Sequence, residues 1–218
     1  MTLQMGLLFS VLALIGTHLL LSHPLRAPLV RGMGERGFQL VYSLIAVITL
    51  GGAIYYYGAI GREPQLWAVS EAYWIVATFL MWFGAILFVG SFVGNPALPG
   101  ARGPKGPPSG VFAITRHPMM WGFALWGIVH LLVVAMPKAL VLDGGIIFLA
   151  LVGAAGQDRK KQARHGDRWH EWTAQTAFVP FTRGLASPGL FAFVGGTLFL
   201  LLAAWLHPMP VGPWRWIG

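Results

Sequence analysis

The stretch AYWIVATFLMWFGAILFVGSFV, from Ala72 to Val93, holds twenty-two residues without a charge. As a helix rising 1.5 Å per residue it reaches about 33 Å, enough to cross the hydrocarbon core of a bilayer. Working outward, the pattern recurs at residues 3–22 and 38–59 on one side. On the other side it recurs at residues 118–136, 139–156 and 185–206. The fifth stretch is the shortest and carries Asp143; only Met136-Pro137-Lys138 joins it to the fourth, which predicts a tight hairpin. The expected fold is all-α: a single domain over residues 1–218, an integral membrane bundle of about six transmembrane helices.

Composition supports a lipid-covered surface. Hydrophobic residues make up 56% of the chain and charged residues 10%, against roughly 25% charged in ordinary soluble domains. The absence of cysteine removes disulfides and thiolate chemistry. Fifteen Lys and Arg against seven Asp and Glu could point to nucleic acid, but the basic residues flank the apolar spans. Orientation signals and anionic head groups account for them there, and nucleic acid is not an expected partner.

The basic residues also set a topology. Arg26, Arg31 and Arg36 follow the first span, and Arg102, Lys105 and Arg116 follow the third. Arg159, Lys160, Lys161, Arg164, Arg168 and Arg183 follow the fifth. The positive-inside rule then places both termini on the non-cytoplasmic side. Tyr55, Tyr56, Tyr57, Trp67, Tyr73, Trp74, Trp205, Trp214 and Trp216 fall at that outer boundary, as an aromatic belt should. No Lys or Arg precedes the first span, which reads as a retained helix, since a secretory signal has basic residues in front. Residues 94–110, rich in Pro and Gly, read as a loop or lid. Residues 157–183 mix basic residues with Trp169, Trp172, Phe178 and Phe181, which suggests a helix lying on the membrane surface.

An ionisable group inside a span is costly and marks a candidate site. His18 lies near the inner end of span one, and His130 lies thirteen residues beyond His117 in span four. Neutral imidazole is a frequent ligand for haem iron or other transition metals. Met119, Phe123 and Trp126 share the His130 face at helical spacing, a wall suited to a flat aromatic ligand. The bland alternative is a histidine that hydrogen-bonds a neighbouring helix. On depth alone His18 and His130 differ by roughly 14 Å along the membrane normal. His117, beside Arg116, is placed to touch an anionic group at the mouth of span four, while loops account for His23, His165, His170 and His207. No phosphate loop, dinucleotide fingerprint, zincin motif or nucleophile elbow occurs. Gly90 and Gly94 form a GxxxG, a common pattern in a chain with 29 glycines.

Several separated segments resemble one family. They are His18-Leu-Leu-Leu-Ser22-His23-Pro24-Leu25-Arg26, Gly34-Glu35-Arg36-Gly37-Phe38, and Ile114-Thr115-Arg116-His117-Pro118 with Trp121-Gly122 and His130. The last are Asp158-Arg159-Lys160, His165-Gly166-Asp167-Arg168-Trp169 and Thr176-Ala177-Phe178-Val179-Pro180-Phe181. Together, over about residues 10–183, they resemble the NnrU family of bacterial membrane proteins, to which the plastid ζ-carotene isomerases are related. The resemblance implies a multi-pass protein of the bacterial inner membrane, linked to denitrification and nitric-oxide metabolism or to haem-dependent polyene isomerisation. It implies haem b with His18 and His130 as metal ligands, Arg116, His117 and Trp126 nearby, and a lipophilic small molecule as possible partner. Gly127 stands where the isomerases carry a cysteine, so a ligand switch through that cysteine is not expected. A weaker similarity links Arg116-His117-Pro118 and Gly166-Asp167-Arg168-Trp169 to isoprenylcysteine carboxyl methyltransferases. It implies S-adenosylmethionine as the alternative cofactor, although Gln157-Asp158 replaces the usual paired glutamates. A non-enzymatic assembly factor for a respiratory complex is the third reading.

Overall fold

The computed structural model describes residues 1–98, 101, 103–104 and 106–217. Arg102 and Lys105, two of the expected orientation charges, lie outside the described residues. Eight α-helices and one 3-10 turn make up the secondary structure of the described residues: α1 (Leu3–Ser22), α2 (Arg26–Ala59), α3 (Glu71–Gly90), α4 (Val111–Ile114), α5 (Pro118–Val134), α6 (Pro137–His165), α7 (Asp167–Gln175), α8 (Leu190–Trp205) and the turn Gly212–Arg215. Helices α1, α2, α3 and α6 are long and apolar enough to cross a membrane; α5 and α8 are shorter apolar helices. These helices mark a helical membrane protein.

The helices pack as a row rather than as a closed bundle. In spatial order they run α2, α1, α6, α5, α3, α8, each internal helix packing mainly on its two neighbours. Small residues set the close approaches, as in membranes, where van der Waals packing replaces a hydrophobic drive. A Cβ on Gly196 of α8 would lie 2.5 Å from the Ile86 Cα of α3. Gly84 of α3 and Gly122 of α5 oppose each other, and a Cβ on Gly122 would stand 3.2 Å from the Gly84 carbonyl. An open row leaves two edges to lipid. On α2, Val47 and Ile48 are 68% and 70% exposed, and on α8, Leu198 is 62% exposed.

Three segments depart from expectation. The Arg-rich stretch after α1 is helical: α2 starts at Arg26 and breaks at Gly34, whose φ of 74° and ψ of 168° lie outside helical space. Pro137 opens α6 at its first turn, where its missing N–H costs nothing. That helix continues through residues 157–165, past the apolar span. Residues 157–183 are therefore not one helix on the membrane surface. Trp169 (0% exposed) and Trp172 of α7 pack among Ile86, Leu87, Val111, Phe112, Ile114 and Leu125. Two large indoles gain more apolar contact there than at a wet interface. In the GxxxG, Gly90 meets Val111 and Ala192 closely, whereas Gly94 sits in a turn at φ +68° with open space around it.

Candidate functional site

The motif at the start of α5 forms a polar clasp. Thr115 is extended (φ −153°, ψ 146°) and ends α4; Pro118 then opens α5. The intervening Arg116 and His117 both reach Asp158 on α6. The Arg116 Nε donates to Asp158 Oδ2 at 2.8 Å, and His117 Nε2 meets Oδ1 at 2.9 Å. Arg116 also donates to the Thr176 carbonyl at 3.1 Å, and its backbone N–H to the Ala177 carbonyl at 2.8 Å. Thr115 Oγ1 and the Trp121 indole N–H both donate to the Phe178 carbonyl, at 2.7 and 2.8 Å. Burial pushes the Asp158 carboxyl up, but the hydrogen bonds and charges of His117 and Arg116 outweigh it and hold the group below its ordinary value. The clasp joins α5, α6 and the strap after α7. It occupies Arg116, expected at the mouth of a cofactor site, whose side chain is 15% exposed.

In the sequence Asp158 drew attention only within Gln157-Asp158-Arg159-Lys160, and nothing there marked it as the partner of Arg116 and His117. The other acid the sequence singled out, Asp143, is buried at 2% exposure, and its Oδ2 has no hydrogen-bond partner among the described residues. Of the residues gathered by the methyltransferase similarity, Arg116 is committed to Asp158 and His117 and Trp169 are buried, while Arg168 is exposed.

His18 and His130 share one local arrangement. His18 Nδ1 lies 2.9 Å from the Leu14 carbonyl, and His130 Nδ1 lies 2.8 Å from the Trp126 carbonyl. A carbonyl only accepts, so Nδ1 carries the proton in each ring, and a neutral ring keeps its lone pair on Nε2. This is the orientation that second-shell hydrogen bonds impose on metal-binding histidines.

Their positions differ. Val11 of α1 packs on Gly145 of α6, and Gly127 of α5 packs on Asp143 and Ile147 of α6, so these residues share one level. His18 lies seven residues from that level toward the basic end, and His130 three toward the other, an offset of about 15 Å. Gly145 and Gly156 of α6 face α1, while Asp143, Ile147 and Asp158 face α5. At 3.6 residues per turn those faces are roughly opposite, so α6 stands between the two histidines. The structure does not bring His18 and His130 together.

Each histidine has its own surroundings. The His18 ring meets Tyr42 of α2 edge-on at 5.2 Å. The His130 ring lies 4.1 Å from the Trp126 ring. On the same face of α5, Phe123 meets Phe88 of α3 at 5.4 Å, and Phe88 also meets Phe92 at 5.0 Å and Phe199 of α8 at 5.7 Å. Helices α5 and α8 thus flank α3 around an aromatic groove. Phe92, Phe123 and Phe199 are all more than two-fifths exposed, and they face the position lipid would take.

The family model described as NnrU protein matches residues 6–214. The chain belongs to the NnrU family. Among curated proteins this NnrU protein is similar to the chloroplastic 15-cis-zeta-carotene isomerase of Arabidopsis thaliana, 28% identical over 163 residues. It is also similar to the chloroplastic 15-cis-zeta-carotene isomerase of Zea mays, 27% identical over 158 residues. In each comparison 68% of this chain is covered but only 42% of the relative, so the chain spans about two-fifths of the length of those relatives. No solved structure matches it.

Haem b, implied by the sequence resemblance, has to fit this geometry. One iron with two axial histidines needs both Nε2 atoms within about 4 Å of each other, two metal–nitrogen bonds of roughly 2 Å. An offset of about 15 Å across an intervening helix does not allow that. The donor chemistry fits each histidine singly, and ligation of one iron by both does not fit. Gly127 adds a related constraint: a Cβ there would lie 2.7 Å from Ile147 Cγ1 and 3.0 Å from the Asp143 carbonyl. A cysteine at that position would have to separate α5 from α6.

Proposed function

We propose that this NnrU protein handles a lipophilic conjugated molecule, of the polyene class, in the aromatic groove of α3, α5 and α8. In this reading all six apolar helices cross the inner membrane of a bacterium, with both termini on the non-cytoplasmic side. The observation that carries it is the wall of Met119, Phe123, Trp126 and His130 on one face of α5, continued by Phe88 and Phe199. Similarity to ζ-carotene isomerases supports a polyene as the ligand class.

An open row of helices admits such a ligand sideways from the bilayer, and aromatic faces stack on a conjugated chain. Trp126 contacts the His130 ring, and its backbone carbonyl accepts a hydrogen bond from Nδ1–H, which leaves Nε2 as the ring atom with a lone pair for a ligand or metal. His130 is therefore the residue that would hold a haem b beside the groove, and His18 has no part in that site. A haem bound there would supply one-electron chemistry of the kind that loosens a double bond enough for rotation.

The experiment is isomer analysis by chromatography after haem-supplied protein in liposomes is incubated in the dark with a cis-configured C40 polyene. Conversion to the trans isomer, cut at least tenfold by Trp126→Ala, is the expected result. No conversion by the intact protein, or conversion indifferent to Trp126, removes the reading.

A further inference from the structure

A cavity of about 1000 Å³ opens at the basic end between α2 and α6. It lies apart from the aromatic groove, and neither the clasp nor the proposed function uses it. Arg26, Lys160, Lys161 and Arg164 line it, with Glu35 as the one carboxylate and Phe38 and Tyr42 as the apolar wall.

Glu35 is already committed. It pairs with Arg26 at 2.5 Å and accepts from Gln39 at 3.3 Å. The Arg26 guanidinium also stacks over Phe38 at 5.3 Å. Three cations remain around the cavity with no carboxylate in ion-pair range among the described residues. Lys161 is 5% exposed, and its ammonium donates to the Pro96 and Leu98 carbonyls at 3.1 and 3.3 Å. Neutral acceptors solvate its charge without cancelling it. Burial, and then the Arg26 charge, push the Lys160 pKa down.

Arg164 is exposed, but Lys160 is partly buried and Lys161 buried; such desolvated cations without a counter-charge are costly, and an anion in the cavity would relieve them. The cavity is walled by α2, the edge helix whose outer face carries the exposed Leu44, Val47 and Ile48. A ligand entering there must therefore tolerate an apolar neighbourhood beyond its charged end.

We propose that this cavity binds the phosphodiester headgroup of an acidic phospholipid from the leaflet at the basic end. Lys160 and Arg164 contact the phosphate, and Phe38 and Tyr42 pack beside the glycerol backbone. Lys161 fixes the loop carbonyls of Pro96 and Leu98 and sets the positive potential.

The test uses the full chain, delipidated in neutral detergent and titrated with phosphatidylglycerol or phosphatidylcholine, with native mass spectrometry counting retained lipid. The intact protein should prefer phosphatidylglycerol. The pair Lys160→Gln/Arg164→Gln should cut that preference by roughly 30-fold, five- to sixfold for each basic residue. Arg31→Gln/Arg36→Gln, on exposed residues of the same end, should keep the preference and shows that a general loss of charge is not the cause. Equal retention of both lipids by the intact protein overturns the proposal, as does an unchanged preference in the Lys160/Arg164 pair. Displacement of the lipid by inorganic phosphate at equal concentration also overturns it, by making the site one for the free ion. None of these outcomes depends on haem or on the aromatic groove.

Discussion

Replacing Asp158 by Asn keeps the side chain's size and removes the charge that holds the clasp together. The intact carboxylate takes two contacts of 2.8 Å from Arg116 and one of 2.9 Å from His117. In the variant, Arg116 meets a neutral amide in place of the carboxylate, and its charge is left with the Thr176 carbonyl and the Phe178 ring face. Breaking a fully buried ion pair from one side costs about 3–5 kcal/mol. Arg116 and Asp158 side chains are 15% and 19% exposed, so water recovers part of that, and about 3 kcal/mol is the expected loss. For a chain of this size that lowers Tm by about 6–12 °C.

Thermal unfolding in detergent, followed by tryptophan fluorescence, reads the shift. Arg116→Met/Asp158→Leu removes both charges together and should recover at least half of it. The pH dependence has a definite sign. Asp158 is held below its ordinary value of 3.8, so its contribution is full above about pH 4 and fades as pH falls through the lowered value. An Asp158→Asn variant melting within 1 °C of the parent, or a double variant as unstable as the two single losses added, would refute the clasp.

Other substitutions test the row. Gly196→Ala puts a methyl against the Ile86 backbone at 2.5 Å, and should cost about 1–3 kcal/mol as a loss of thermal stability. Unchanged melting would mean that α8 does not pack on α3 this closely. Gly127→Cys should also destabilise, because its Cβ would meet the Ile147 side chain at 2.7 Å and the Asp143 backbone carbonyl at 3.0 Å. A cysteine tolerated there with no loss would mean that α5 and α6 stand further apart. Lys161→Met should free the Pro96–Leu98 segment, seen as faster proteolysis there; unchanged cleavage would show that the two carbonyl contacts do not hold it.

Much of the fold was legible because lipid imposes one simple rule: about twenty apolar residues for each crossing. Each of the six apolar stretches falls on a helix, four of them long and apolar enough to cross a membrane and two shorter, and Pro118 and Pro137 open α5 and α6 where first-turn prolines belong. The row was not legible, because periodicity says that a face is apolar and not which neighbour covers it. For the same reason the sequence could suggest His18 and His130 as partners, with an axial offset close to the one their packing levels on α6 give, yet could not show α6 between them. Trp169 and Trp172 misled because an indole beside basic residues suits an interface and a core equally well. The clasp was half legible: Arg116 and His117 stood out by their place at the mouth of α5. Their partner Asp158, forty-two residues away from Arg116 in sequence, needed the fold to find it.

The most direct test of the account is the oxidised and dithionite-reduced absorption spectrum, with a pyridine haemochrome assay, of the purified protein and of His130→Ala and His18→Ala. Haem b is expected in the intact protein, lost from His130→Ala and retained by His18→Ala. Loss from both variants would mean that the two histidines share one iron and that the helix order described here is wrong. No haem in the intact protein, even when haem is supplied during expression, would contradict the cofactor itself.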